Sequence, residues 1–451
     1  MFAFADRWAG ILDRVSRREA LAIGGLSLAA GTGALKPASA NDAAAPTTAK
    51  SLIFLALYGG PPHQDTFDLK PNAPAEVRGE FEPIDTSLPG FQICEYLPKL
   101  ARLAHQYTVI RSMTHGDNAH ESAFYALMTG RPHPQPNTNA RVSPNDFPCY
   151  GSAMTYVRPP QHAVPGYVVT GGLLAKRSGQ LAGIIGPSWS PYVIRGDADE
   201  PDFRAPEFTL PADVSVSRLQ RRHDLVEQFG ARIAAGRESD VTSFPSYQQR
   251  AFDMLTSPQM TRAFDIASES PATRAAYGHH PFGQNLLLCR RLAEAGVPIV
   301  QVNWRNRGDG AFDTHSDNFN ACKGQLLPNF DACLSALLTD LEDRGLLDQT
   351  LVVAAGEFGR TPAINANAGR DHWGGCNSIL LAGGGIKRGY VHGSSDRTAA
   401  YPATGPVGPW DLYATILHCC GINPETTLHD TQHRPHKLCE GTVIADVLER
   451  G

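Results

Sequence analysis

Four short, mainly apolar runs punctuate the chain: Leu52 to Leu57 (LIFLAL), Val297 to Val302, Thr350 to Ala355 and Ser378 to Ala382. Runs of this length, bounded by Gly, Pro and polar loops, predict strands buried on both faces. Between them, apolar residues recur at helical spacing. Phe330, Leu334, Leu337, Leu338 and Leu341 share one face of a helix that Gly345 closes, and further helices are expected over 285–295 and 411–420. This alternation predicts an α/β fold: a largely parallel sheet with helices on both faces, its ligands gathered beyond the carboxyl ends of the strands. The stretch from about 197 to 280 is more charged and lacks strand-like runs. It reads as a mostly helical insertion or cap within the same domain.

The opening of the chain has a different pattern. Ser16-Arg17-Arg18 precedes an apolar Gly/Ala-rich run from Leu21 to Leu35, followed by Ala38-Ser39-Ala40. A basic region, a short hydrophobic region and a small-residue cleavage site make an export signal, and the paired arginines resemble the twin-arginine type. The run is too short to cross about 30 Å of hydrocarbon, so no transmembrane segment is expected in the mature chain. The expected organisation is a signal peptide over 1–40, an Ala/Pro/Thr linker over 41–49 and one domain over 50–451. The mature protein is then expected in the periplasm or outside the cell.

Composition narrows the function classes. Of 451 residues, 42% are hydrophobic and 19% charged, with a net charge of −5; this is ordinary globular usage, which excludes disordered and fibrous chains. Mild acidity without Lys/Arg clusters argues against nucleic acid as a partner. The nine cysteines are odd in number and form no C-x-x-C pair, so no disulfide is assigned.

The chemistry-bearing residues cluster just after the apolar runs. Asp65 lies in PPHQDTFD, His115, Asp117 and His120 in THGDNAH, Asp313, His315 and Asp317 in DTHSD, Glu357 after 350–355, and Asp371-His372 in GRDHWG. Divalent cations need several oxygen and nitrogen donors converging from separate loops. Asp65, His115, Asp117, Asp313, His315, Asp317, Glu357, Asp371 and His372 are therefore candidate metal ligands, for zinc, calcium or manganese. For Asp317 a helix cap is an equally good reading. Glu357 is harder to explain without a partner, because a carboxylate closing an apolar strand is costly unless paired or metal-bound.

The segments YGGPPHQDTFDLKPNAPAEVRGEF (58–81), RSMTHGDNAHESAFYALMTGRPH (111–133), DTHSDNF (313–319), VVAAGEFGRTP (352–362) and GRDHWG (369–374) together resemble the domain-of-unknown-function 1501 family. That family comprises exported bacterial proteins, usually with twin-arginine signals, in the alkaline phosphatase-like superfamily that also holds sulfatases. The resemblance implies an alkaline phosphatase-like core and a metal-dependent hydrolase of phosphate or sulfate esters, including esters on a polysaccharide. The chain keeps the Leu-x-Thr-Gly-Arg frame (Leu127 to Arg131), but His120 stands nine residues before Thr129, where sulfatases carry a Cys or Ser nucleophile. Glu357-Phe358 replaces their Asp-His or Asp-Asn pair. The catalytic candidates are thus Arg131, for the substrate oxygens, and Ser122, His120 or a metal-activated water as the attacking group. The water fits the missing nucleophile best. The competing expectation is a non-catalytic relative that binds a ligand or a surface partner on the same fold.

Overall fold

The computed structural model describes residues 48–449 apart from 161–163, 175–176, 305–310 and most of 202–255. The chain divides into two compact units, 1–36 with 219–249, and 37–218 with 250–451. Within the first, the described residues 219–222, 224 and 225 are helical. The second carries the fold described below. The expected signal peptide lies outside the described residues, as does the linker up to residue 47.

Among the described residues, eight strands form the main sheet: β1 (Ser51–Leu57), β2 (Tyr107–Met113), β3 (Val168–Thr170), β4 (Tyr192–Val193), β5 (Ile299–Trp304), β6 (Thr350–Ala355), β7 (Asn377–Ala382) and β8 (Tyr390–His392). Their order is β8-β2-β7-β6-β1-β5-β3-β4. All pairs are parallel except those of β7, which runs antiparallel to β2 and β6. The α/β fold with a largely parallel sheet is therefore present, and the 378–382 run is its one reversed strand.

β1 sits at the centre, with Leu52 opposite both Ile299 and Leu351. Its side chains alternate between two apolar layers, as the period of a strand requires. Ile53, Leu55 and Leu57 pack into one layer with α3 (Pro281–Glu294) and α4 (Leu327–Asp343). Leu52, Phe54 and Ala56 pack into the other with α1 (His120–Thr129), α2 (Tyr150–Val157) and α5 (Pro409–Cys419). Helices therefore cover both faces. Each large apolar side chain buried this way contributes about 1.5–3 kcal/mol.

Sequence periodicity missed β2, because YTVIRSM mixes Thr, Arg and Ser with its apolar residues. Arg111 is accommodated by donating to the Phe67 carbonyl at 2.7 Å. In the charged 197–280 stretch, the helices Pro258–Phe264 and Pro271–Tyr277 bury Met260, Phe264 and Tyr277 in the same layer as α3 and α4. All nine cysteines are buried, and none is in a disulfide. Among the described residues, no helix is long and apolar enough to cross a membrane.

Candidate metal centre

Four strands deliver their loops to one edge of the sheet. β1 runs into Tyr58-Gly59-Gly60, β2 into His115 and the start of α1, β5 into the loop carrying Asp313 and His315, and β6 into Glu357. Close approach of these loops depends on Gly59. Its φ is +101°, and a Cβ there would lie 2.3 Å from the Asp313 backbone nitrogen. The Gly59 N–H meanwhile donates to both Glu357 oxygens, at 3.0 and 3.2 Å. The buried carboxylate thus has its partners.

Three imidazoles converge on Asp313. His120 Nε2 lies 3.0 Å from Oδ2, His372 Nε2 lies 3.0 Å from Oδ1, and His315 Nε2 lies 3.2 Å from Oδ1. The Nε2 atoms of His315 and His372 are 2.9 Å apart. In each ring the other nitrogen faces an acceptor: Glu357 Oε1 at 2.7 Å for His120, Asp371 Oδ1 at 2.7 Å for His315, and the Asn118 carbonyl at 2.8 Å for His372. Such acceptors place the proton on Nδ1 and turn the Nε2 lone pair inward, as in histidines that bind metals. His120, Asp313 and His372 each offer a donor atom within 4.8 Å of the others. These residues can hold a metal ion. Because outer acceptors fix ligand orientation, Asp371→Asn and Glu357→Gln should each weaken metal affinity by about 10–100-fold, read by competition against a chelator.

Aromatic rings pack against the cluster, and part of its rim is exposed. Tyr58 stacks on His120 at 4.8 Å, and Phe358 lies 5.1 Å from His120 and 4.4 Å from His372. His315 and Asp371 face solvent.

The electrostatics follow from this packing. Burial opposes the charged form of His120, but hydrogen bonds to Asp313 and Glu357, with their charges, outweigh it and push the imidazole up from 6.5 to about 9. Burial likewise opposes the charged form of Asp313, yet His120, His372 and Arg360 together hold its carboxyl well below the usual range. In the metal-free protein, His120 binds its proton more tightly folded than unfolded. That stabilisation is complete below about pH 6.5 and is lost as pH rises through about 9. The Tm of chelator-treated protein should therefore fall across that window, and His120→Gln should flatten the fall.

Arg360, which sequence reasoning passed over inside GEFGRTP, is the fastener of the site. Fully buried, it donates to the carbonyls of Gly60, Arg370, Gly59 and Phe312 and, at 2.9 Å, to Asp313 Oδ1. It joins the β1 loop to the loops of Asp313 and His372. Its only sequence signal was an arginine shortly after the 350–355 run.

The other candidate residues meet other partners. His115 accepts from the Asp117 N–H on Nδ1 and donates from Nε2 to the Glu357 carbonyl at 2.7 Å, and burial keeps it neutral by lowering its pKa. Asp117 caps the start of α1 through the Ala119 N–H and accepts from the Ser122 hydroxyl at 2.8 Å. Ser122 is fully buried. Asp65 forms a buried bidentate pair with Arg370, at 2.8 and 2.9 Å. Asp317 sits at the start of the helix Asn318–Ala321 and accepts from Asn320. Arg131 follows the far end of α1, where it pairs with Glu440 and lies over Phe147. The structure thus brings together His120, Asp313, His315, Glu357, Asp371 and His372. Asp65, Ser122, Arg131 and Asp317 are engaged elsewhere.

Fold and site together define an α/β protein with an imidazole-rich candidate metal centre at the carboxyl edge of its sheet. The chain belongs to the family described as protein of unknown function DUF1501, whose model matches residues 49–448. No curated protein matches its sequence. Among solved structures it is similar to a protein in the alkaline phosphatase superfamily from Vibrio parahaemolyticus, at 10% identity and TM-score 0.38, covering 97% of this chain and 80% of that one. It is also similar to the PsFucS1 sulfatase from Pseudoalteromonas sp., at 12% identity and TM-score 0.38, covering 88% and 72%. The phosphonate monoester hydrolase SpPMH from Silicibacter pomeroyi matches at 14% identity and TM-score 0.32, covering 89% and 76%.

Proposed function

We propose that the protein is an exported, metal-dependent hydrolase of phosphate or sulfate esters, polysaccharide esters included. The observation that carries this reading is the convergence of three imidazole Nε2 atoms on one carboxylate at a solvent-open sheet edge. Asp313, His120 and His372 would hold the ion, with His315 beside them. Two imidazole nitrogens and a carboxylate, with a third imidazole adjacent, favour zinc or manganese over calcium, which prefers all-oxygen shells. A divalent ion there supplies Lewis acidity toward the ester's oxygens and a lowered pKa for water.

The residues of the chain do the remaining work. Glu357 and Asp371 orient the imidazoles, Arg360 fixes Asp313, and Tyr58 and Phe358 pack against the imidazole rings. His315 and Asp371 are exposed at the rim of the cluster, and the ester enters beside them. Water adds to phosphorus or sulfur, and the alcohol leaves with a proton. Commitment of the Ser122 hydroxyl to Asp117 favours water over serine as the attacking group.

The test is hydrolysis of 4-nitrophenyl phosphate, phosphate diester and sulfate by zinc- or manganese-loaded protein, followed by sulfated and phosphorylated oligosaccharides. Turnover that a chelator abolishes supports the reading. A fully loaded, folded protein that cleaves none of them overturns it and leaves a metal-holding binding protein.

A further inference from the structure

An anionic ester approaching this centre meets Asp313, Glu357, Asp371 and the nearby Glu121, so it needs a cation besides the metal. Arg131, which the sequence puts forward for this task, is bound to Glu440 at the other end of α1. We propose that Arg177 grips the anionic head of the substrate, a phosphate or sulfate monoester, through two of its non-bridging oxygens. The proposal rests on the ester-hydrolase reading for the identity of the ligand and on geometry for the residue.

Arg177 comes from the loop after β3, at the same carboxyl edge of the sheet as the metal cluster. Its guanidinium carbon lies 4.4 Å from the centre of the Tyr58 ring, and that ring is stacked 4.8 Å from His120. Its Nη2 donates to the Tyr58 hydroxyl. Its Nη1 is 2.5 Å from Oε1 of Glu121, the residue after His120, but makes no aligned hydrogen bond. Backbone pairing with Arg141 brings a second arginine to the same loop.

Two features separate Arg177 from Arg360. The Arg360 side chain is fully buried and each of its nitrogens serves a fixed acceptor, so it cannot turn to a ligand. The Arg177 side chain is 17% exposed, and its partner Glu121 18% exposed. A partly exposed ion pair is a weak tie, readily given up for a better acceptor. A planar guanidinium fork matches two oxygens of a tetrahedral anion, and such charge-assisted pairs are stronger than neutral ones. Glu121 and Tyr58 hold the guanidinium in place until the substrate replaces them.

The experiment measures binding of inorganic phosphate and inorganic sulfate to the metal-loaded full chain by calorimetry, with KM and kcat wherever an ester is turned over. Arg177→Ala is expected to weaken oxyanion binding and raise KM by about 10–100-fold, with metal content and Tm unchanged. Arg177→Lys, which keeps the charge but loses the fork, should lose about 3–10-fold and stands in if the alanine variant does not fold. Glu121→Gln, which loosens the guanidinium, should bind at least as tightly as wild type. Wild-type affinity in both Arg177 variants overturns the proposal, and so does a wild type that binds neither ion. Arg177-dependent oxyanion binding without turnover of any ester supports the grip and sinks only the hydrolase reading.

Discussion

Asp313→Asn is expected to yield a folded protein that neither holds the proposed metal nor carries out the proposed ester hydrolysis. The carboxylate lies within 3.2 Å of three imidazole Nε2 atoms and accepts one guanidinium hydrogen bond. An amide keeps the shape but removes the charge, and its NH2 must face either His120 or the His315–His372 pair. Loss of an outer acceptor costs about 10–100-fold in metal affinity; loss of the central anion should exceed that range. Asn is preferable to Ala here, because its oxygen can still accept from the buried Arg360, whereas leaving a buried ionic group unpaired costs about 3–5 kcal/mol. Metal content by mass spectrometry, beside circular dichroism and Tm, is the measurement. Stoichiometric metal in folded Asp313→Asn protein would place the ion elsewhere.

The second large effect concerns stability. Asp65→Asn should destabilise the fold by about 3–5 kcal/mol while leaving metal content per folded molecule unchanged. Both Asp65 and Arg370 are fully buried, and their two parallel hydrogen bonds leave the guanidinium no solvent to replace a lost carboxylate. Arg370 also donates to the carbonyls of Thr361, Pro362 and Val77. The pair therefore clamps the 361–371 loop that delivers Asp371 and His372 to the cluster. A fall in Tm on the order of 5–10 °C is expected. Replacing both partners with apolar residues should recover part of the loss, since no unpaired charge remains. Metal loss at unchanged Tm would instead make Asp65 a ligand.

These two aspartates show where sequence reasoning stopped. Both sit among polar residues after an apolar run, and both qualified as metal ligands on residue type alone. Only the fold shows that one faces three imidazoles and the other a buried arginine. His120 is a parallel case. Its alignment with a nucleophile position suggested attack on the substrate, yet its ring lies between Asp313 and Glu357 with Nε2 directed into the cluster. Arg131 carried the Thr-Gly-Arg frame, while Arg177 lay in a loop with no periodicity to mark it.

The sequence by itself determined the local elements and the class of chemistry. Apolar runs of five or six residues bounded by turn residues fit strands covered on both faces, and β1, β5, β6 and β7 follow them closely. The concentration of His, Asp and Glu just beyond those runs marked the edge of the sheet where a cation would sit. The tertiary structure alone decided the reversal of β7, the inclusion of the mixed-polarity β2, and the partner of every charged residue. The physical reason is one of range. Strand and helix propensities act over neighbouring residues, whereas Asp313 meets His120 and His372 across 193 and 59 positions of chain. Contacts of that separation are set by strand order and loop packing, which no local pattern encodes.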